Sequence, residues 1–232
     1  MELRNAVVFI TGANRGLGLA FAREALERGA RKVYAAARDP SAVRLAGVEP
    51  VRLDVTRPHE VTAAAARAGD VTVLVNNAGI AATGGFLAPD SADSARRHLE
   101  TNLIGPLLMA QAFAPALAAN GGGALLNVLS IASWINRPLL GVYGMSKSAA
   151  WALTNGLRHE LREQGTQVLG LHMGFVDTDL TRGIDAPKAA PEAIVRLALD
   201  GLEAGAEEVL ADEATLRVKQ GLSASPSIYL QA

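Results

Sequence analysis

Apolar residues in this chain come in short unbroken runs separated by longer stretches of helical spacing. Ala6–Ile10, Lys32–Ala37, Val71–Val75, Ala124–Leu129 and Gln167–His172 read as strands covered on both faces, since a strand with one wet face would alternate polar and apolar residues. Val48–Leu53 is a weaker third strand and Glu208–Leu210 a short last one. Helical patterns lie between them. One spans Leu19–Leu26 and is closed by Gly29; a short one covers Ala63–Arg67; a long one begins near Ser91, and Pro106 and Pro115 are expected to kink it or end it early. Another runs from Tyr143 to about Gln164 with Gly165 as its stop, the next opens at Pro191, and a last one follows Asp212. Strands alternating with helices over the whole length predict an α/β fold. The expected form is a doubly wound parallel sheet of about seven strands with helices on both faces, in a single domain spanning residues 1–232.

Composition narrows the partners more than the fold. At 232 residues and 50% hydrophobic content, one core can bury roughly 70–75% of the unfolded surface. A net charge of −1 and a pI near 6.4 give no basic footprint, so neither nucleic acid nor an anionic membrane surface is an expected partner. Without cysteine there are no disulfides or thiolate ligands, and His59, His98, His159 and His172 lack ligand spacing, so no metal is expected. Met1–Asn5 runs straight into a strand pattern with none of the regions of a signal peptide, and a cytoplasmic location is expected. Thr101 to Asn136 carries no charge. Polar residues (Asn102, Gln111, Asn120), Pro106, Pro115 and the Gly121–Gly123 break interrupt it, so we read two buried elements separated by a turn rather than a bilayer span.

Candidate chemistry lies where the strands end. The first strand runs into Thr11-Gly12-Ala13-Asn14-Arg15-Gly16-Leu17-Gly18 and then a helix. That context suits a dinucleotide: the glycines let the backbone approach a pyrophosphate, whose charge meets free N–H groups at the helix start. The second strand ends at Arg38-Asp39-Pro40. An acid there would bind the ribose 2′-OH of NAD and an arginine the 2′-phosphate of NADP. Arg38 comes first, Asp39 reads as a turn residue before proline, and Arg15 adds a second cation, so NADP(H) is preferred, with NAD(H) the alternative. Asp54-Val55 follows the third strand, where Asp54 can cap the next helix or hydrogen-bond an adenine amino group. Asn76, Asn77, Ala78 and Gly79 end the fourth, small enough for close backbone approach.

Gly141-Val142-Tyr143-Gly144-Met145-Ser146-Lys147 places a phenol and an ammonium four residues apart. On a helix they share a face, and a cation within about 4–6 Å lowers a phenol's pKa from its ordinary ~10. Ser130, at the end of an apolar strand, sits where open α/β sheets bind ligands.

Thr11-Gly12-xxx-Gly16-x-Gly18, Asn76-Asn77-Ala78-Gly79, Asn102, Ser130 and Tyr143-xxx-Lys147, in this order and register, resemble the short-chain dehydrogenase/reductase family over nearly the whole chain. The resemblance implies a Rossmann-type sheet. It gives Tyr143 the role of general acid/base and Lys147 that of binding the nicotinamide ribose and lowering the tyrosine pKa. Ser130 would hydrogen-bond the substrate carbonyl, and Asn102 would help hold a water in a proton relay. Asn14 and Arg15 are similar to the NADPH-dependent carbonyl reductases of the family, and Gly174, Val176 and Thr178 match its nicotinamide-contacting positions. Met173-Gly174 departs from the usual Pro-Gly, which leaves that turn less rigid.

The function so implied is hydride transfer between NADP(H) and a carbonyl/alcohol pair. Ile131, Trp134, Leu139, Leu140 and Phe175 point to a hydrophobic ketone or aldehyde, and Asp179–Ala190 is a candidate lid. Two alternatives belong to other classes: an NADP-binding sensor or scaffold without chemistry, and an isomerase or epimerase that retains its cofactor. The resemblance implies a homodimer or homotetramer formed through the helices carrying Asn102 and Tyr143, and the long uncharged stretch fits buried helix faces.

Overall fold

The apolar runs form strands because each is covered by helices on both sides. The protein's structure is a computed structural model that describes residues 1–231. Its strands are β1 (Val7–Thr11), β2 (Lys32–Ala37), β3 (Glu49–Arg52), β4 (Val73–Asn76), β5 (Ala124–Val128), β6 (Gln167–His172) and β7 (Glu208–Leu210). They form one sheet in the order β3-β2-β1-β4-β5-β6-β7, with every neighbouring pair parallel. Pro50 is accommodated because β3 is an edge strand, where a missing N–H costs no ladder bond on the open side.

Alternate residues of one strand feed two cores. Val8 and Ile10 of β1 face the layer that holds α1 (Gly16–Glu27) and α6 (Pro191–Glu203). Val7 and Phe9 face the layer of α2 (Pro58–Arg67), α4 (Gly105–Ala119) and α5 (Gly141–Glu160), where the Phe9 and Phe113 rings lie 4.7 Å apart. Burying such side chains contributes about 1.5–3 kcal/mol each. The remaining helices are α3 (Ser91–Leu99) and α7 (Glu213–Gly221).

Helix limits differ from the sequence reading in four places. α1 begins at Gly16 rather than Leu19, so the glycine loop itself supplies the first turn. α2 begins at Pro58, with proline in the first turn where its missing N–H is harmless. α5 closes at Glu160, and Gly165 instead ends the turn that follows it, with φ 74°. The prolines do not stop the long helix: α3 continues into α4 through a π turn, Glu100–Ile104, in which the Gly105 N–H reaches back to the Glu100 carbonyl. A proline ring normally collides with the carbonyl four residues earlier, here that of Asn102, and the wider turn relieves the contact. Pro115 is held within α4 because Met109, Phe113 and Leu117 are anchored in the core. By length and composition the run Ser91–Ala119 is sufficient to cross a membrane, with a third of its most apolar window buried against the rest of the chain.

The order of strands reverses between β1 and β4, and the crevice of a doubly wound sheet opens at such a switch point.

Candidate active site

The loops after β1 and β4 are sewn together at that switch point. The Thr11 hydroxyl accepts the N–H groups of Asn77 (3.0 Å) and Ala78 (2.9 Å), while the Asn77 amide donates to the carbonyls of Thr11 (2.8 Å) and Gly12 (3.2 Å). Gly12 has φ 68°, and a Cβ on Gly18 would lie 2.2 Å from the Gly12 oxygen, so both positions exclude a side chain. The result is a cleft of about 930 Å³, at the upper end of the roughly 300–1,000 Å³ of ligand sites. It is lined by Gly12, Asn14, Arg15, Gly16 and Leu17 of the glycine loop, by Arg38, Asp54 and Val55 after β2 and β3, and by Ser130, Tyr143 and Lys147. Ala78, Gly79, Gly174, Val176 and Thr178 line it as well.

Arg38 and Asp39 divide their work. The Asp39 carboxylate accepts from the amide (2.9 Å) and hydroxyl (2.7 Å) of Ser41, which caps a short turn and holds its pKa below the ordinary range. Asp39 is absent from the cleft wall, whereas Arg38 is on it. Arg15 is at the mouth, paired with Asp179 at 3.0 Å across to the candidate lid; exposed as it is, the pair is worth little. Asp54 caps no helix. Its Oδ1 takes the Thr56 amide (3.1 Å) and hydroxyl (2.8 Å) just before α2. Burial pushes its carboxyl up, but those bonds and the charges of Arg57 and Arg38 outweigh it, and the net shift is downward.

Ser130 follows β5 and caps a short turn, its Oγ accepting the Ala132 N–H at 3.1 Å. That leaves the hydroxyl proton free to donate. Tyr143, in the first turn of α5, stands beside it. The tyrosine is half-buried, yet its phenol is set deep enough that burial raises its pKa, with the Ser130 hydroxyl opposing. Lys147 is one turn further on the same face, buried, with Nζ 2.7 Å from the Val128 carbonyl and 5.9 Å from the Tyr143 ring centroid. Burial pushes this ammonium down to about 8. The expectation that Lys147 draws the phenol down is therefore not met within the chain alone: the net shift of Tyr143 is upward, because its own desolvation dominates.

Two asparagines lie off the cleft wall. Asn102 is buried behind the cleft. Its Oδ1 accepts the Ile80 N–H and its Nδ2 donates to the Ile80 carbonyl and the Ser146 hydroxyl, all at 2.9 Å. Its side chain clamps the Ala78–Ile80 loop to α5, and the side-chain amide does not face the cleft. Asn76 is not on the cleft wall. It points into the sheet, where its Nδ2 donates to Asn127 of the neighbouring β5 at 2.9 Å, and Asn77, one residue on, faces the loops instead. Gly18 also backs the loop rather than lining the cleft.

Of the apolar set, Ile131, Leu140 and Phe175 line the cleft. Trp134 turns away to stack on His172, and Leu139 is half-exposed outside it. Within the candidate lid, Asp179 to Arg182 and Ile184 line the cleft. The far end of the lid is tied back to the chain just before it by the pairing of Ala189 with Val176. The Met173-Gly174 turn gains an anchor that no nearby residue announces: the Asp212 carboxylate, at the N-cap of α7, accepts the Gly174 N–H at 2.6 Å. Asp212, Thr11, Asn77 and Ser146 are the supporting residues that the sequence reading missed as site components. Thr11 and Asn77 were flagged by the motif they sit in; Asp212 lies 38 residues from its partner.

Known proteins align over most of this arrangement. A family model described as short chain dehydrogenase matches residues 6–189. The dehydrogenase/reductase SDR family member 7B of Bos taurus is 33% identical over 197 residues, covering 77% of this chain and 60% of that longer protein. Galactitol 2-dehydrogenase (L-tagatose-forming) of Cereibacter sphaeroides is 37% identical over 191 residues, 78% of this chain and 75% of that one. Among solved structures, a short chain dehydrogenase from Burkholderia cenocepacia J2315 in complex with NADP superposes with a TM-score of 0.93, at 39% identity over 97% of this chain and 96% of that one.

Proposed function

The chain belongs to the short-chain dehydrogenase family, whose members are hydride-transferring oxidoreductases, and from that premise we propose that it is an NADP(H)-dependent reductase of hydrophobic ketones or aldehydes. The observation that carries this reading is the convergence of the Ser130 and Tyr143 hydroxyls in one cleft with Lys147, continuous with a glycine-walled groove that ends at Arg38.

The groove fits a dinucleotide on its own terms. Gly12 and Gly18 let the loop fold tightly against itself and Asn77, and the first residues of α1, Gly16 and Leu17, line the cleft with no side chain capping the helix start, where a pyrophosphate would take the free N–H groups. Arg38 would hold a 2′-phosphate while Asp39 is occupied with Ser41. This favours NADP(H), as does the NADP complex of the Burkholderia cenocepacia structure; NAD(H) is the alternative. Gly79 lets the ribose side approach, since a Cβ there would stand 3.2 Å from Asn102 Oδ1 and 3.9 Å from Lys147 Nζ.

When bound, the reduced nicotinamide supplies a hydride to the carbonyl carbon. The chain's part is to handle the oxygen. Ser130 donates a hydrogen bond to it, stabilising negative charge as it develops. Tyr143, kept neutral by burial, gives up its phenolic proton to the same oxygen, a contribution of roughly 10²–10⁴-fold for a placed acid. Lys147, with a cationic head fixed on the Val128 carbonyl, holds the ribose and offsets the phenolate left behind. Ile131, Leu140, Phe175, Leu180 and Ile184 give the substrate end its apolar walls. The partly buried apolar faces of α4 and α5 are read as contacts between copies of the chain, in a dimer or tetramer; a monomer in sedimentation at micromolar concentration would reject that.

The test is oxidation of NADPH and of NADH, followed by absorbance, over neutral aromatic and aliphatic carbonyls, with galactitol and other polyols run in the reverse direction. Turnover of neutral carbonyls with NADPH preferred is expected. Activity confined to polyols or charged substrates would overturn the substrate assignment, and NADPH binding without any turnover would overturn the enzyme reading.

A further inference from the structure

A polar cluster behind Ser130 has no part in the chemistry above. His172, the last residue of β6, is fully buried, and its Nδ1 lies 3.1 Å from the Ser130 carbonyl oxygen. A carbonyl can only accept, so Nδ1 carries the proton and Nε2 is the bare nitrogen. Nε2 has no hydrogen-bond partner among the described residues and stands 3.5 Å from Glu208, whose carboxylate is bonded to Lys219 at 2.8 Å. The ring is clamped on its face by Trp134, at 4.0 Å between centroids and 17° between planes. Trp134 in turn meets Trp151 edge-on at 6.3 Å and lies 4.7 Å from the Lys219 ammonium.

We propose that His172 is a positioning residue for Ser130, its Nδ1–H holding the Ser130 carbonyl and so fixing the turn that aims the Ser130 hydroxyl at the substrate oxygen. The inference rests on the role given to Ser130 above. Ser130 Oγ already accepts the Ala132 N–H, so the direction of its proton follows the orientation of its own peptide. The ladder between β5 and β6 fixes the residues on either side, through Leu129 N–H to the Leu171 carbonyl and Ile131 N–H to the Met173 carbonyl, both 2.8 Å. The Ser130 carbonyl is the other end of the peptide unit whose Ile131 N–H is bonded to Met173; it points the opposite way and is taken by the His172 ring and by the Ser133 N–H closing the turn at 3.0 Å, so the ring holds the carbonyl end of that unit. The ring stays neutral because burial pushes it down to about 4, helped by Lys219 and Arg158 and opposed by the Ser130 carbonyl and Glu208.

His172→Asn keeps a donor where Nδ1 was but removes the stacked ring; His172→Phe keeps the ring and removes the donor. On the best carbonyl of the panel, His172→Phe is expected to lower kcat roughly fivefold or more while NADPH affinity and Tm hold, and His172→Asn to regain most of the rate. Wild-type kcat in His172→Phe, or equal losses in both variants, would overturn the proposal. Ser130→Ala is measured alongside: if it turns over normally, the reading of Ser130 has failed rather than that of His172. Independently of turnover, ¹⁵N-labelled wild-type protein should show the Nδ1–H tautomer of the histidine whose signals vanish in His172→Asn. An Nε2–H tautomer or an imidazolium at pH 7 would refute the geometry.

Discussion

Lys147 should destabilise the protein it serves. Burial lowers its pKa from 10.5 to about 8, so the folded state holds the ammonium less readily than the unfolded chain does. A depressed pKa on a base means that the penalty is fully present below the folded value and fades as pH rises toward the unfolded one. At pH 7 the shift corresponds to about 3 kcal/mol, and by pH 9.5 to about 1 kcal/mol. Lys147→Met removes the penalty but orphans the Val128 carbonyl, which Nζ now meets at 2.7 Å, at a cost of about 1–3 kcal/mol. The variant should therefore be as stable as the wild type at pH 7, or up to about 2 kcal/mol more so, while losing activity. The sharper expectation is the pH dependence: the stability difference between variant and wild type moves by about 2 kcal/mol against the variant from pH 7 to 9.5. Urea denaturation of both proteins without cofactor, at the two pH values, measures it. A difference that does not change with pH would refute the reasoning, whatever its size at pH 7.

Three further outcomes follow from the same geometry. Arg38→Ala should raise KM for NADPH by roughly 10–100-fold, the worth of a hydrogen-bonded charge, and leave KM for NADH nearly unchanged in steady-state assays. Gly18→Ala puts a methyl 2.2 Å from the backbone oxygen of Gly12; because that neighbour is main chain, the loop must move, and NADPH affinity by fluorescence titration should fall at least about tenfold. Asp212→Ala removes the cap of α7 and the acceptor for Gly174, so thermal denaturation should show a loss of about 0.5–2 kcal/mol for the cap alone.

The positions and parallel arrangement of the strands were legible because two-sided burial leaves unbroken apolar runs such as Ala124–Val128. Helix ends were less so. Pro106 reads as a breaker in any local rule, and only the π turn before it lets the helix continue. The site motifs identified the right loops, but direction within a loop depends on partners far along the chain. Asn76 and Asn77 are adjacent and equivalent in composition, and the register of β4 with β5 sends the first into the sheet toward Asn127. Trp134 follows Ser130 closely enough to suggest a pocket wall, yet His172 and Lys219 draw it to the other side. The compensation for Met173, the hydrogen bond from Gly174 to Asp212, crosses 38 residues and has no local signature. Nor could spacing alone tell that burial would raise the Tyr143 phenol, with the Ser130 hydroxyl as the group that opposes it.

The central claim is that Tyr143 supplies the proton in an NADPH-dependent reduction. Turnover and NADPH affinity measured together on Tyr143→Phe test it most directly. The expected result is a fall in kcat of roughly 10²–10⁴-fold with the dissociation constant for NADPH within about twofold of the wild type. Turnover near the wild-type rate in that variant would contradict it.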